Sequence, residues 1–313
     1  MNGQLDFKEV SVLIPAYNCE KTIHRAVQSV LQQTFRDFEL IIVDDGSQDG
    51  TVEAINEFVD SRVKIVRHPN NLGSSEARNT AVKSCLGRYL AFLDSDDEWL
   101  PEKLSRQMDA IRNQPEEIIA NVTGYYLFDE FDILRKELPS RPVSWYKHLL
   151  MGCSLGVGTT LIVSRKAFEN IGNFDPSLPR YEDWDWLLRF TKTYPLIITP
   201  EPLAVVYRGS RPQAKVVELA ARQFLDKHHQ EFQQFGYYGK RAIGKRYLEV
   251  AYYYFHEGNK PAGWIWLRKA LYQSPVQRLG MYLRILDALS GTSIVPTVLR
   301  LRKTHLKQAG RQN

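Results

Sequence analysis

Two apolar runs of this chain end in carboxylates. Phe38-Glu39-Leu40-Ile41-Ile42-Val43 gives way to Asp44-Asp45, and Tyr89-Leu90-Ala91-Phe92-Leu93 gives way to Asp94-Ser95-Asp96-Asp97. Each run reads as a buried strand whose acids sit at its carboxyl end, the place where open α/β sheets form ligand crevices. Five carboxylates gathered there would repel one another unless a cation or a hydrogen-bonding ligand joined them. That arrangement suits a divalent metal holding a diphosphate, because Mg2+ and Mn2+ take one or two carboxylates together with phosphate oxygens and water. Asp94 and Asp96 project to the same side of an extended chain, while Asp97 begins the next turn. The stretch Asp44-Asp45-Gly46-Ser47-Gln48-Asp49-Gly50-Thr51 follows a strand and opens a helix. A carboxylate there can accept from a uracil imide or a ribose hydroxyl, or it can serve an Asx turn and a helix cap.

The elements that must position these acids alternate. Val10 to Ile14 is β-branched and stops at Pro15, and Ile23, Ala26, Val27, Val30 and Leu31 repeat at helical spacing. Strand 38–43 follows, then a helix from about Thr51 with Ser47 or Asp49 as N-cap, then a strand at 62–66. Asn70-Asn71-Leu72-Gly73 is a turn, Ser74 to Lys83 a helix and 89–93 a strand, and Pro101 suits the first turn of a helix running to Asn113. This succession predicts a mainly parallel sheet covered by helices. Beyond residue 115 strands are expected at Ile118–Phe128, Thr159–Val163 and Leu196–Tyr207, with a helix at Glu182–Thr193. The predicted boundary follows Gly209-Ser210-Arg211-Pro212, giving an α/β domain at 1–213 and an α-helical region at 214–313 with segments near 215–235, 241–256 and 260–273. In the last two, Tyr247, Ala251, Tyr254, Phe255, Gly258, Ala262, Trp266, Ala270, Leu271 and Pro275 resemble a single tetratricopeptide-type hairpin.

With 43% apolar and 25% charged residues, the composition is that of a folded globular protein. No run of apolar residues is long enough to span a bilayer, and the first residues lack a basic, then apolar, leader pattern. Cys19, Cys85 and Cys153 are odd in number and widely spaced, which fits small buried thiols in a reducing compartment. The net charge of +5 is unevenly spread: residues 260–313 hold ten Lys/Arg and one acid, Asp287, so that segment is +9 and residues 1–259 are −4. Leu279, Leu283, Leu286 and Leu289 share a helical face bordered by Arg278 and Arg284, with Arg300-Leu301-Arg302-Lys303 following. Such a basic amphipathic tail either lies on an anionic membrane surface or packs on the protein's own helices. No recognised motif accompanies the charge, so nucleic acid is not an expected partner.

Five blocks, in order, resemble the inverting glycosyltransferases of family 2, which have the GT-A fold. They are Val10-Ser11-Val12-Leu13-Ile14-Pro15-Ala16-Tyr17-Asn18; Ile41 to Ser47 with Asp49 and Thr51; Asn71-Leu72-Gly73 with Ala77-Arg78-Asn79; Gly87-Arg88-Tyr89 to Asp97; and Gly172-Asn173-Phe174-Asp175 with Glu182-Asp183-Trp184-Asp185. The resemblance spans roughly residues 8–210. It implies a Rossmann-like GT-A domain that moves a sugar from a nucleotide-diphosphate donor, most simply a UDP-sugar, to a saccharide or lipid-linked glycan in cell-surface polysaccharide synthesis. It implies that Pro15, Tyr17, Asp45, Arg78, Asp94, Ser95 and Asp96 bind the donor, with Tyr17 near the base, Asp45 at the base edge and Arg78 near the base or diphosphate. Asp94 and Asp96 are the acids of the DxD motif, and Asp96 with Asp97 would hold Mn2+ or Mg2+. Asp183 occupies the position of the general base. An inverting transfer needs one base to take the acceptor's proton, and the aromatic neighbours of Asp183 could raise its basicity by desolvation. Many members carry Tyr-Arg-x-His after a strand; here it is Tyr207-Arg208-Gly209-Ser210, leaving Arg208 and Ser210 for the diphosphate. His68, just after a strand and beside Pro69, reads as a loop residue and not a replacement ligand. The expected location is cytoplasmic, peripheral at the inner membrane face if the tail reaches it. The alternative is a catalytically weak nucleotide-sugar-binding or scaffold protein acting through its helical region.

Overall fold

The computed structural model describes residues 8–128, 133–136, 142–207, 209, 211–275 and 279–290. The chain forms two compact units, Met1–Ser210 and Arg211–Asn313.

The first unit is built on one sheet. Strands β1 (Val10–Ala16), β2 (Phe38–Asp44), β3 (Val63–Arg67) and β4 (Tyr89–Phe92) lie in the order β3-β2-β1-β4, all parallel. The core strands β1, β2 and β4 are almost wholly buried, as expected of strands covered on both faces, whereas β3 at the edge is half exposed. Connecting helices α1 (Ile23–Leu31), α2 (Thr51–Asn56) and α3 (Ser74–Ser84) follow the positions read from sequence. The chain winds outward from β1 to β3 and returns to the other side of β1 with β4, so the crevice opens at the carboxyl ends of β1 and β4.

Past β4 the sheet becomes mixed. A two-residue strand β5 (Glu98–Trp99) precedes α4 (Lys103–Arg112), which starts two residues after Pro101. Then come β6 (Ala120–Phe128), β7 (Ile133–Lys136), α5 (Trp145–Met151), α6 (Val157–Thr160), β8 (Ile162–Ser164), α7 (Arg165–Ile171), α8 (Glu182–Thr191) and β9 (Leu196–Tyr207). From β4 the order continues β8-β6-β9-β5, with β7 paired to β6. The strand expected at Thr159–Val163 is a correction. Val157–Thr160 is a helical turn, launched from Gly156 in the left-handed region at φ +59°, and only Ile162–Ser164 pairs. The hydroxyls of Thr159 and Thr160 bond inward to Asp97 and to the Leu155 carbonyl at that turn.

Beneath the sheet α4 buries a polar chain. Lys103 Nζ donates to Gln107 Oε1 at 2.6 Å, and the Gln107 amide donates to Asn121 Oδ1 at 2.8 Å and the Thr160 carbonyl at 2.9 Å. Asn121 Nδ2 in turn reaches the Thr199 hydroxyl at 3.0 Å, pairing β6 with β9.

The second unit is helical: α9 (Ala214–Lys227), α10 (His229–Gln234), α11 (Gly236–His256), α12 (Lys260–Gln273) and α13 (Leu279–Ser290). α11 and α12 form a hairpin through Gly258, at φ +79°, and Gly263 lets the Phe255 ring lie against the α12 backbone. α13 packs on α11 with Ile285 buried and Leu286 exposed. Arg300, Arg302, Lys303, Lys307 and Arg311 of the basic tail lie outside the described residues. Among the described residues no helix is long and apolar enough to cross a membrane.

Candidate active site

Backbone register brings the predicted segments level. Ala16 pairs with Asp44, the Asp45 amide donates to the Ala16 carbonyl at 2.8 Å, and the Leu93 amide donates to the Leu13 carbonyl at 3.1 Å. The turns after β1, β2 and β4 therefore share one edge of the sheet. They enclose a cavity of about 670 Å³ lined by Pro15, Tyr17, Asp45, Arg78, Asp94, Ser95 and Asp96, all seven predicted donor-binding positions. Asn18, Cys19, Asn71 and Ser74 also line it. Cys19, expected to be a small buried thiol, is half-buried at this wall, and burial raises its pKa.

Tyr17 is 44% exposed, an open aromatic face at the cavity wall. The loop that carries it is laced to the loop after β2. The Asn18 amide donates to Ser47 Oγ, the Gln48 amide to Asn18 Oδ1 and the Cys19 amide to Thr51 Oγ1, at 3.0, 2.9 and 2.8 Å.

Asp45 is buried and already holds three hydrogen bonds. Its Oδ1 accepts from His68 Nδ1 at 2.7 Å and the Leu72 amide at 2.9 Å, and its Oδ2 accepts from the Gly73 amide at 2.8 Å. A carboxylate offers about four acceptor positions, so one remains for a ligand. Since the carboxylate cannot donate, the Nδ1 of His68 carries the proton, and Nε2 faces the Thr80 hydroxyl at 3.0 Å. His68 is indeed a loop residue, but it orients Asp45, a role the sequence reading missed.

Arg78 stands between two acids instead of in open space. It donates to Asp94 Oδ1 at 2.5 Å and to Glu182 Oε1 at 2.7 Å, while its Nε is buried without a partner among the described residues. Burial opposes its charge, but Asp94, Glu182 and Asp183 outweigh that and raise its pKa. Burial likewise opposes ionisation of Glu182, yet Arg78 and the Ser74 hydroxyl hold it below its usual range.

The aspartates of the second cluster part company. Asp96 lines the cavity, and its carboxylate accepts no bond from another described residue; burial and the neighbouring Asp94 raise its pKa. Asp97, expected beside it at a metal, is turned inward and 3% exposed. Its carboxylate accepts from the Thr159 hydroxyl and, at 2.8 Å, from the Tyr207 amide, so it ties α6 to the end of β9. Burial and the charges of Asp94 and Asp96 push its pKa well up. Among the described residues no group of three or more His, Cys, Asp or Glu is arranged to cage a metal.

Arg25 of α1, absent from the predicted set, donates to the Asp96 carbonyl and lies 3.6 Å from the centroid of the Tyr207 ring. An i, i+3 apolar stripe shows which face of α1 is buried but not what its polar face meets, so nothing marked Arg25 in advance. Arg208 and Ser210 lie outside the described residues; a β-carbon on Gly209 between them would stand 3.5 Å from Asp96 Oδ2.

Asp183 opens α8 behind Tyr181, whose backbone is left-handed at φ +70°. The indoles of Trp184 and Trp186 donate to the Leu149 and Gly172 carbonyls at 2.9 and 2.8 Å and fix the helix end. Asp183 Oδ1 accepts from the Trp184 amide at 2.7 Å, while Oδ2 has no partner among the described residues. Burial, then repulsion from Glu182, raise its pKa to about 6 against the pull of Arg78. A carboxylate with a free oxygen and that basicity can take a proton near neutral pH.

The sequence profile of Glycosyl transferase family 2 matches residues 11–172, more than half of the chain. This protein belongs to glycosyltransferase family 2. The Escherichia coli enzyme UDP-Glc:alpha-D-GlcNAc-diphosphoundecaprenol beta-1,3-glucosyltransferase WfaP is 36% identical over 179 residues, covering 57% of this chain and 68% of that protein. A second Escherichia coli enzyme of the same description, WfgD, is 35% identical over the same shares of each chain. Among solved structures, S. aureus TarS 1-349 in complex with UDP aligns over 91% of this chain and 92% of its own, with TM-score 0.56 and 17% identity. The mannosyltransferase PcManGT from Pyrobaculum calidifontis, in complex with GDP-Man and Mn2+, aligns over 93% and 83% with TM-score 0.53 and 19% identity. At those identities the likeness establishes the GT-A fold.

Proposed function

We propose that this family 2 glycosyltransferase moves a sugar, with inversion, from a UDP-sugar to a saccharide or lipid-linked glycan acceptor in cell-surface polysaccharide synthesis. The observation that carries the reading is Asp183, a carboxylate with raised pKa and an open oxygen placed beside the Arg78 cluster of the cavity. Inversion at the anomeric carbon is one displacement. The acceptor hydroxyl attacks, its proton passes to Asp183 Oδ2, and the nucleoside diphosphate leaves with the bonding pair. Retention by double displacement would need a second, nucleophilic carboxylate. Glu182 and Asp94, the two acids whose charge acts on Asp183, are both engaged by Arg78.

Tyr17 offers its exposed ring to the base, and Asp45 offers its remaining acceptor position to an imide or hydroxyl. The relatives WfaP and WfgD are named for UDP-Glc and a diphosphoundecaprenol-linked acceptor, which supports the same donor and acceptor classes here.

The donor set fits a divalent metal held chiefly by Asp96, with Asp94 adjacent, because hard cations of this kind complete their shell with phosphate oxygens and water. When bound, the metal would act as a Lewis acid toward the departing diphosphate. Asp97 stays out of that shell and braces the loop from below.

Calorimetric titration of the protein with UDP, GDP and dTDP, each with and without Mn2+, tests this reading. UDP should bind most tightly and lose affinity on chelation. Absence of binding by all three nucleotides in the presence of Mn2+ would refute it.

A further inference from the structure

We infer that the outward face of α12 is a docking surface for an anionic lipid bilayer. Large apolar side chains are common on protein surfaces when scattered singly, but a contiguous set marks an interaction site. On this 14-residue helix four of them fall on one stripe: Trp264, Ile265, Leu271 and Tyr272, exposed by 47, 54, 41 and 89%. Arg268 lies exposed between them, one turn from Trp264 and from Tyr272, and Lys260 and Lys269 are exposed at the borders. The opposite face of the same helix, Gly263, Trp266, Leu267 and Ala270, is buried, so α12 already has its core contact and presents a second apolar face outward. Trp264 is held rather than free to fold away, with its ring edge-on to Phe255 at 5.4 Å.

Charge selects the partner. Between Glu257 and Asp287 the sequence carries five Lys/Arg and no acid. An apolar stripe whose own helix carries cations and no acid is complementary to a surface that is apolar inside and anionic at its rim, which describes a bilayer with acidic headgroups. Trp and Tyr settle at the headgroup level, where their rings are half in hydrocarbon, and an Arg stem can lie along the apolar face while its guanidinium pairs with phosphate. The stripe belongs to a different stretch of sequence from the basic cluster within residues 291–313.

Co-sedimentation of the full chain with vesicles tests the inference, using phosphatidylcholine alone and phosphatidylcholine mixed with phosphatidylglycerol. No sugar donor or acceptor is present, so the result does not depend on the transfer reaction. The wild-type chain should pellet with the anionic vesicles, and less so as salt rises. Each cation near such a surface is worth about a five-fold change in binding, so Arg268→Glu with Lys269→Glu should weaken it by at least about thirty-fold. Trp264→Ser with Tyr272→Ser should weaken it even at low salt, and Tyr272→Ser alone should show part of that loss. All three variants must keep the wild-type helical circular dichroism and nucleotide affinity. Vesicle binding unchanged in both double variants, or no binding by the wild type, overturns the inference. So does a wild-type dimer that the Trp264/Tyr272 variant converts to monomer without any effect of lipid, which would assign the face to a second copy of the chain.

Discussion

Asn79 and Phe174 exchange a pair of hydrogen bonds. The Asn79 amide donates to the Phe174 carbonyl and accepts from the Phe174 N–H, both at 3.0 Å. The pair joins α3, which carries Arg78, to the segment leading into α8, which carries Glu182 and Asp183. A further bond from the Ser75 hydroxyl to the Asp175 carbonyl, at 3.2 Å, reinforces the joint. The buried ion pair between Arg78 and Glu182 is thereby aligned by side-chain-to-backbone bonds and does not depend on its own attraction alone. Asn79→Ala leaves the Phe174 amide and carbonyl buried and unpaired, and should cost about 1–3 kcal/mol in a denaturant titration.

Asp183→Asn keeps the shape and the bond from the Trp184 amide but cannot accept a proton at the free position. Sugar transfer should fall by about 10²–10⁴-fold, while calorimetric affinity for UDP stays near wild type. Near-normal turnover would remove Asp183 from the mechanism.

The same residue sets a pH dependence. Its pKa is raised to about 6, and only the deprotonated form can act as base. Initial rates at saturating substrate should therefore be level above that pH and decline about ten-fold per pH unit below it. In the Asp183→Asn variant this limb should vanish from the residual rate. A profile flat down to pH values near an ordinary aspartate, about 4, would show that the carboxylate is not the titrating group.

Gly158 lies directly against the Asp94 carboxylate: a β-carbon there would stand 2.8 Å from Oδ1 and nearer still to Oδ2. Gly158→Ala must push Asp94 aside, disturbing its bond to Arg78 and its position at the cavity. The variant should bind UDP and Mn2+ about ten-fold or more weakly, a shift of about 1.4 kcal/mol in calorimetry.

The parallel half of the sheet was legible because β-branched runs such as Val10–Ile14 and Ile41–Val43 carry their own periodicity and end in turn residues. The cavity was legible for the same reason, since acids at strand ends converge wherever strands are parallel and in register. Other features were hidden because they depend on contacts between distant segments. The bond from His68 to Asp45 spans 23 residues, and nothing local distinguishes it from any loop histidine. Asp96 and Asp97 are neighbours of identical chemistry, yet one lines the cavity and the other is buried under Thr159. That choice is made by a helical turn more than sixty residues away, where Gly156 and Gly158 overrode the strand expected from Thr159 to Val163.

The pairing of β6 with β9 has a consequence of its own. Thr123 faces Thr199, but Gly124 faces Pro202 and Tyr125 faces Ala204, so β9 spends three residues more than β6 across the same interval. Three is an odd number, and alternation along a strand makes parity decisive: each residue beyond the bulge presents the side of the sheet that its count alone would deny it. Tyr207 is one of these, with its amide on Asp97 and its ring beneath Arg25. Loss of one residue between Thr199 and Ala204 would turn Tyr207 over and free Asp97, with every side chain of the cavity still present in the sequence. Chain length through that crossing is as much a determinant of the site as any group within it.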